Sequence, residues 1–190
     1  MHSLTHLWRD DPKQITEALS DITKMCSYDG KRGDRCRNDL GRLGGPTAII
    51  KLMGKHRSDS KIQVAAFLAI MQMCYQNQFN IDVTTEVGGV DAIIKTMLCF
   101  PNDSFLQMCG VYNLRKLVYE NKNNNDTSFV AEGVSVILSA MKRHSTNSSL
   151  QHHGAYCIHK LARNGGEMQR VWSSNKEADN GTKSIKSVLL

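Results

Sequence analysis

The side chains with the most chemical reach in this sequence lie close together: His152, His153 and His159, with Cys157 between them. Residues seven apart share a helix face, so His152 and His159 could offer imidazole nitrogens to one ion. The set is incomplete, because no carboxylate stands in the segment and Gly154 and Tyr156 interrupt it. His153 is better read as a packing residue, since Ala65 and Cys109 stand 88 and 44 residues before it. No metal and no cofactor is expected. The other cysteines, Cys26, Cys36, Cys74, Cys99 and Cys109, form no CxxC pair and no compact zinc spacing. They are read as small apolar residues kept reduced. Motifs for a serine nucleophile elbow, a Walker loop or a zinc protease are absent, and Gly44-Gly45 and Gly165-Gly166 punctuate helices rather than cradle phosphates. The sequence supports no enzyme activity.

The elements that would position these groups follow from a repeat. Gly45, Gly89 and Gly133 are 44 residues apart, as are Gln63, Gln107 and Gln151. Apolar positions keep the same step: Ile49, Ile93 and Ile137; Met53, Met97 and Met141; Ile70, Leu114 and Ile158. A period in the forties points to stacked helical repeats, each covering the apolar face of its neighbour. Within one unit, Val90, Ile93, Ile94, Met97 and Leu98 recur at three and four spacings after Gly88-Gly89, as a helix requires. Phe100-Pro101-Asn102-Asp103 stops that helix, and Asp103 or Ser104 caps a longer one from about 104 to 120. Segments 81–87 and 127–132 are expected as short first helices, the second ending at the Gly133 break.

A short helix, a glycine break, a medium helix, a turn and a long helix resemble the armadillo repeat. The residues that carry the resemblance are Glu86-Val87-Gly88-Gly89-Val90-Asp91-Ala92-Ile93-Ile94 and Ala131-Glu132-Gly133-Val134-Ser135-Val136-Ile137-Leu138, followed by Gln107 and Gln151 opening the third helices. The resemblance covers about residues 12–168 and implies an all-α fold, a right-handed superhelical solenoid of armadillo-like three-helix repeats. Residues 1–11 are then a tail, and 12–43 a capping helix followed by a mobile basic loop at 28–42. Three repeats follow at about 44–87, 88–131 and 132–168. The last part, 169–190, is a polar linker and a truncated repeat, whose Ile185, Val188, Leu189 and Leu190 are expected to mediate self-association.

The same resemblance implies a non-catalytic protein-binding scaffold, with a partner segment on the concave face made by successive third helices. Where the basic-peptide receptors of the family carry tryptophan, this chain has Leu68, Tyr112 and Tyr156. Where they carry asparagine, it has Gln72, Lys116 and Lys160, with Lys24 one register earlier. Met108 and His152 extend the stripe by a turn. Lysines at these positions would repel a basic ligand and favour an acidic or phosphorylated segment. Lys24, Gln72, Met108, Tyr112, Lys116, His152, Tyr156 and Lys160 are therefore the expected partner-binding residues.

The formal net charge of +6 and a pI near 9.0 leave nucleic acid as the alternative partner, although only 6% of residues are aromatic. A third class is a regulatory or structural fragment of a larger armadillo protein. No stretch of about 18 apolar residues occurs and the start lacks a secretory pattern, so the expected setting is intracellular, cytoplasmic or nuclear, with no membrane partner.

Overall fold

A computed structural model describes residues 11–119 and 127–163, and among them the chain is all-helical. Nine α-helices follow one another: α1 (Pro12–Cys26), α2 (Gly30–Arg42), α3 (Gly45–Lys55), α4 (Ser60–Met73), α5 (Gln78–Glu86), α6 (Gly89–Cys99), α7 (Ser104–Leu114), α8 (Thr127–Arg143) and α9 (Ser148–Arg163). A π-helical turn, Arg115–Tyr119, extends α7.

Two side-chain devices recur at the 44-residue step and explain where the long helices begin. The first is a cap. Asp59 accepts from the backbone N–H groups of Lys61 and Ile62, Asp103 from Leu106, and Asn147 from Leu150. Asp11 does the same for Lys13 ahead of Pro12, whose missing N–H is no loss in a first turn. Each such cap is worth about 0.5 to 2 kcal/mol.

The second device is the repeated glutamine. Gln63 Nε2 donates to the carbonyls of Met53 (3.0 Å) and His56 (2.9 Å), at the end of the preceding helix. Gln107 repeats this with Met97 (2.7 Å) and Phe100 (3.1 Å), and Gln151 with Met141 (2.8 Å) and His144 (3.3 Å). A helix end leaves carbonyls without intrahelical partners, and one amide here satisfies two of them. The glutamine thus clamps the end of each second helix to the start of the third.

Like packs on like through the molecule. The long helices stack in series, α1 on α4, α4 on α7 and α7 on α9, while α3, α6 and α8 meet in a second row. The core lies between these rows. Ile15, Leu19 and Ile22 of α1, Phe67 and Ile70 of α4, and Leu114 of α7 are fully buried. Close approach depends on Gly110, where an added Cβ would lie 2.6 Å from Met97 Sδ and 3.2 Å from Phe67 Cε2. Pro12–Cys26 packs on α4 as α4 packs on α7.

Two expectations are corrected. The segment expected as a mobile basic loop is the ordered helix α2. Its inward positions Gly33, Arg37, Leu40 and Gly41 recur at four and three spacings, but only one is a large apolar residue, so hydrophobic periodicity does not mark it. Polar contacts hold it instead. The buried Arg37 donates to the Cys26 carbonyl and pairs with Asp34 at 2.6 Å, and Asn80 Nδ2 of α5 donates to the carbonyls of Arg37 (2.9 Å) and Met73 (2.8 Å). Helix α2 ends two residues before Gly44, as α5 ends two residues before Gly88.

The second correction concerns the third unit. Gly44 and Gly88 adopt φ values of +78° and +85°, which turn the chain between the first and second helices. Glu132 stands at the corresponding position, and α8 runs from Thr127 to Arg143 without a break. A side chain disfavours the left-handed region, so the two helices merge. The tail 1–10 and the segment 164–190, with its expected truncated repeat and self-association surface, lie outside the described residues.

Candidate functional site

Helices α7 and α9 lie side by side and bring five of the expected binding residues to one place. Tyr112 and Lys116 come from α7 and its π-helical turn, and His152, Tyr156 and Lys160 from α9. The Lys116 ammonium stands 5.9 Å from the Tyr112 ring centre, and that of Lys160 5.7 Å from the Tyr156 ring. Two residues outside the expected set join them. The Arg115 guanidinium lies 3.8 Å from the centre of the Tyr156 ring, and its Nη1 is 3.1 Å from His153 Nδ1. Because guanidinium only donates, His153 Nδ1 accepts in that bond. The His153 ring meets Tyr112 edge to face at 5.0 Å and His152 at 5.4 Å.

These contacts fix the aromatic rings and the cation that bridges the helices. A cation over an aromatic face gains about 0.5 to 1 kcal/mol when exposed and more when desolvated. Arg115, Lys116, Tyr112, His153 and Tyr156 are half-buried, whereas His152 and Lys160 are exposed. The surface therefore presents positive charge on an ordered aromatic floor. Such a surface suits an anionic group, with arginine supplying directed donors and lysine a mobile point charge.

The remaining expected residues stand elsewhere. Lys24 is on α1, which α4 and α7 separate from α9. It is exposed and lies 3.8 Å from Asp21, an exposed pair that contributes little to stability. Gln72 is half-buried on α4, and Met108 is half-buried against the apolar core. His153 faces Arg115 and Tyr112 rather than serving as an apolar filler at the place of Ala65 and Cys109. Among the described residues no group of three histidine, cysteine or acidic side chains gathers that could hold a metal.

The cysteines are all free: Cys26, Cys74, Cys109 and Cys157 are buried, Cys36 is half-buried and Cys99 exposed. Burial pushes the thiols of Cys26 and Cys109 up to about 11 and that of Cys74 to about 12, which leaves them uncharged near neutrality. These are packing residues rather than nucleophiles. Among the described residues no helix is long and apolar enough to cross a membrane.

No family model, curated protein or solved structure matches the chain.

Proposed function

We propose that the chain is an armadillo-type right-handed solenoid that serves as a non-catalytic protein-binding scaffold. What supports the fold reading is the 44-residue step of caps, clamps and inward residues, together with the stacking of equivalent helices on one another. What supports the binding reading is the group of Arg115, Lys116 and Lys160 held against Tyr112 and Tyr156 across α7 and α9. The partner is an acidic or phosphorylated segment of another protein, laid across the third helices. Aromatic rings contribute contact area at small entropic cost, and the cations select against basic ligands. An intracellular, cytoplasmic or nuclear setting belongs to the same reading, and six free cysteines suit a reducing compartment.

The test is fluorescence polarisation with a glutamate-rich peptide of about nine residues, the length that an extended chain needs to span about 30 Å. A phosphoserine-containing version is run beside it. The double variant Lys116→Glu/Lys160→Glu should weaken binding of both at least about tenfold, because rim charges set the attraction. Its unfolding midpoint should fall by no more than about 5 °C, since Lys160 is exposed, Lys116 is half-buried and each gives up one ring contact. Equal binding of the wild type and the double variant would overturn the proposal, as would equal binding of a peptide with glutamine in place of glutamate.

A further inference from the structure

Helix α2 carries a second charged surface, on the opposite side of its own axis from the core. Lys31, Arg35, Asn38 and Arg42 are spaced four, three and four apart and are all exposed, so they form one outward stripe. At 1.5 Å per residue that stripe is about 16 Å long. Arg32 stands beside it, also exposed. Of the two acidic residues on the same helix, Asp34 is taken by the buried Arg37, while the exposed Asp39 stands four residues after Arg35 and three before Arg42 without forming a salt bridge among the described residues. Four cations, Lys31, Arg32, Arg35 and Arg42, outnumber it on the exposed side.

Exposed apolar side chains collect around the same helix. Of the six large ones exposed among the described residues, four are Tyr28, Leu43, Tyr75 and Phe79. Tyr28 lies under the Arg32 guanidinium at 4.1 Å, just before α2 begins. The Tyr75 ring is 5.5 Å from the Arg37 guanidinium. Phe79 lies against Gly41, where an added Cβ would come within 3.2 Å of its ring. Positions 37 and 41 belong to the inward side of α2 and position 32 to the other flank, so Tyr28 and Phe79 border the outward stripe on its two sides, about 14 Å apart along the axis. Tyr28 and Tyr75 are 43% exposed and Phe79 53%, more than a purely structural role would require.

We infer that the outward face of α2 binds single-stranded nucleic acid, with Lys31, Arg35 and Arg42 on the phosphates and Tyr28 and Phe79 against unstacked bases. Three features favour this occupant. Three of the four cations are arginine, whose planar fork matches phosphate oxygens. The rings are held at separate places on either side of the stripe rather than against one another, so they suit bases that are splayed apart. An acidic peptide would satisfy the cations but bring no π face to the rings. The surface accommodates about four nucleotides, at the short end of single-strand platforms. This face is distinct from the α7–α9 group, and the inference stands whether or not that group binds a peptide.

The test measures fluorescence anisotropy of the full chain with a labelled single strand of about 12 nucleotides, its duplex, and vesicles of phosphatidylserine and phosphatidylcholine. The single strand should bind at least about fivefold more tightly than the duplex, because only it offers base faces for stacking. Three or four phosphate contacts should weaken its binding about 20- to 50-fold between about 50 and 200 mM salt. Arg35→Glu/Arg42→Glu should reduce affinity at least about tenfold, and Arg35→Gln/Arg42→Gln should lower the logarithmic salt slope by about 1.4. Tyr28→Ala/Phe79→Ala should abolish the preference for the single strand with the salt slope unchanged. Lys116→Glu/Lys160→Glu should bind the single strand within about twofold of wild type, which separates this surface from the peptide site. Equal affinity for duplex and single strand, an unaffected Arg35→Gln/Arg42→Gln variant, or binding to the vesicles alone would overturn the inference.

Discussion

The second unit and the third are built from the same side-chain plan on two different backbones. In the second, α5 and α6 are separate helices joined through Gly88 at φ +85°; in the third, α8 runs straight through the equivalent position at Glu132. Yet both place an N-cap, Asp103 or Asn147, before the long helix, and both clamp it with a glutamine. The difference separates what the stack needs from what it tolerates. The contacts between second and third helices transmit the packing, whereas the bend between first and second helices is a local choice set by one residue's freedom at positive φ.

Ile137 and Leu150 of the third unit are as fully buried as Ile93 and Leu106 of the second, but one equivalent position differs. Ile70 and Leu114 are fully buried, while Ile158 retains 5% exposure. Truncating Ile70 or Leu114 to alanine should therefore cost about 3 to 5 kcal/mol, because rigid neighbours cannot collapse into the cavity, and Ile158→Ala nearer 2 kcal/mol. Urea unfolding of the three variants checks this. Equal losses at all three positions would mean that the third unit is packed as tightly as the others, and the contrast would lose its energetic side.

The clamps sharpen the same comparison with a smaller effect. Gln63 and Gln107 are buried and Gln151 is half-buried, with its bond to the His144 carbonyl lengthened to 3.3 Å. Gln63 Oε1 also accepts from Thr96 Oγ1 at 3.0 Å, which links one unit to the next. Gln63→Ala or Gln107→Ala leaves the Met53 or Met97 carbonyl without the amide, while the His56 and Phe100 carbonyls keep the backbone N–H groups of Asp59 and Asp103. Either change should cost about 2 kcal/mol; at Gln151, where solvent can replace the amide, about 1 kcal/mol is expected. Chemical denaturation of the three variants monitored by circular dichroism gives the ranking. A Gln151→Ala loss as large as that of Gln107→Ala would show that exposure does not weaken the clamp.

Much of this architecture is legible in the sequence because it is written in residues that repeat. Gly45, Gly89 and Gly133, with the three glutamines and the inward apolar positions, place the second and third helices closely. Helix α2 is not legible in that way. Its inward face is glycine, arginine and a single leucine, so the core contact is made by backbone and hydrogen bonds that leave no apolar period. The merging of α8 has a visible signal, Glu132 in place of the first glycine of the pair, but a register that follows Gly133 alone passes over it. At the candidate site, the stripe at the 44-residue step yields Tyr112, Lys116, Tyr156 and Lys160. It misses Arg115 and His153, each one position off the stripe, because their role arises only where two helices meet. Lys24 and Gln72 belong to the stripe by spacing but stand on other helices from the group.

The smallest expected effect addresses the backbone difference itself. At Gly88 an added Cβ meets nothing within 4 Å, so Gly88→Ala introduces no clash, and its only cost is the positive φ. That cost should be about 1 to 2 kcal/mol. Glu132 sits exposed inside a continuous helix, so Glu132→Ala should be neutral or stabilising by a few tenths of a kcal/mol, and Glu132→Gly should cost about 1 kcal/mol through lost helix propensity. The two positions are equivalent in the repeat, yet alanine is expected to be harmful at one and harmless at the other. Thermal unfolding of the three variants decides the matter. If alanine at Gly88 is as harmless as alanine at Glu132, left-handed backbone is not what divides α5 from α6, and the break between first and second helices has to be sought in the contacts of Thr84 and Gly89, where an added Cβ on the glycine would come within 2.5 Å of the Thr84 carbonyl oxygen.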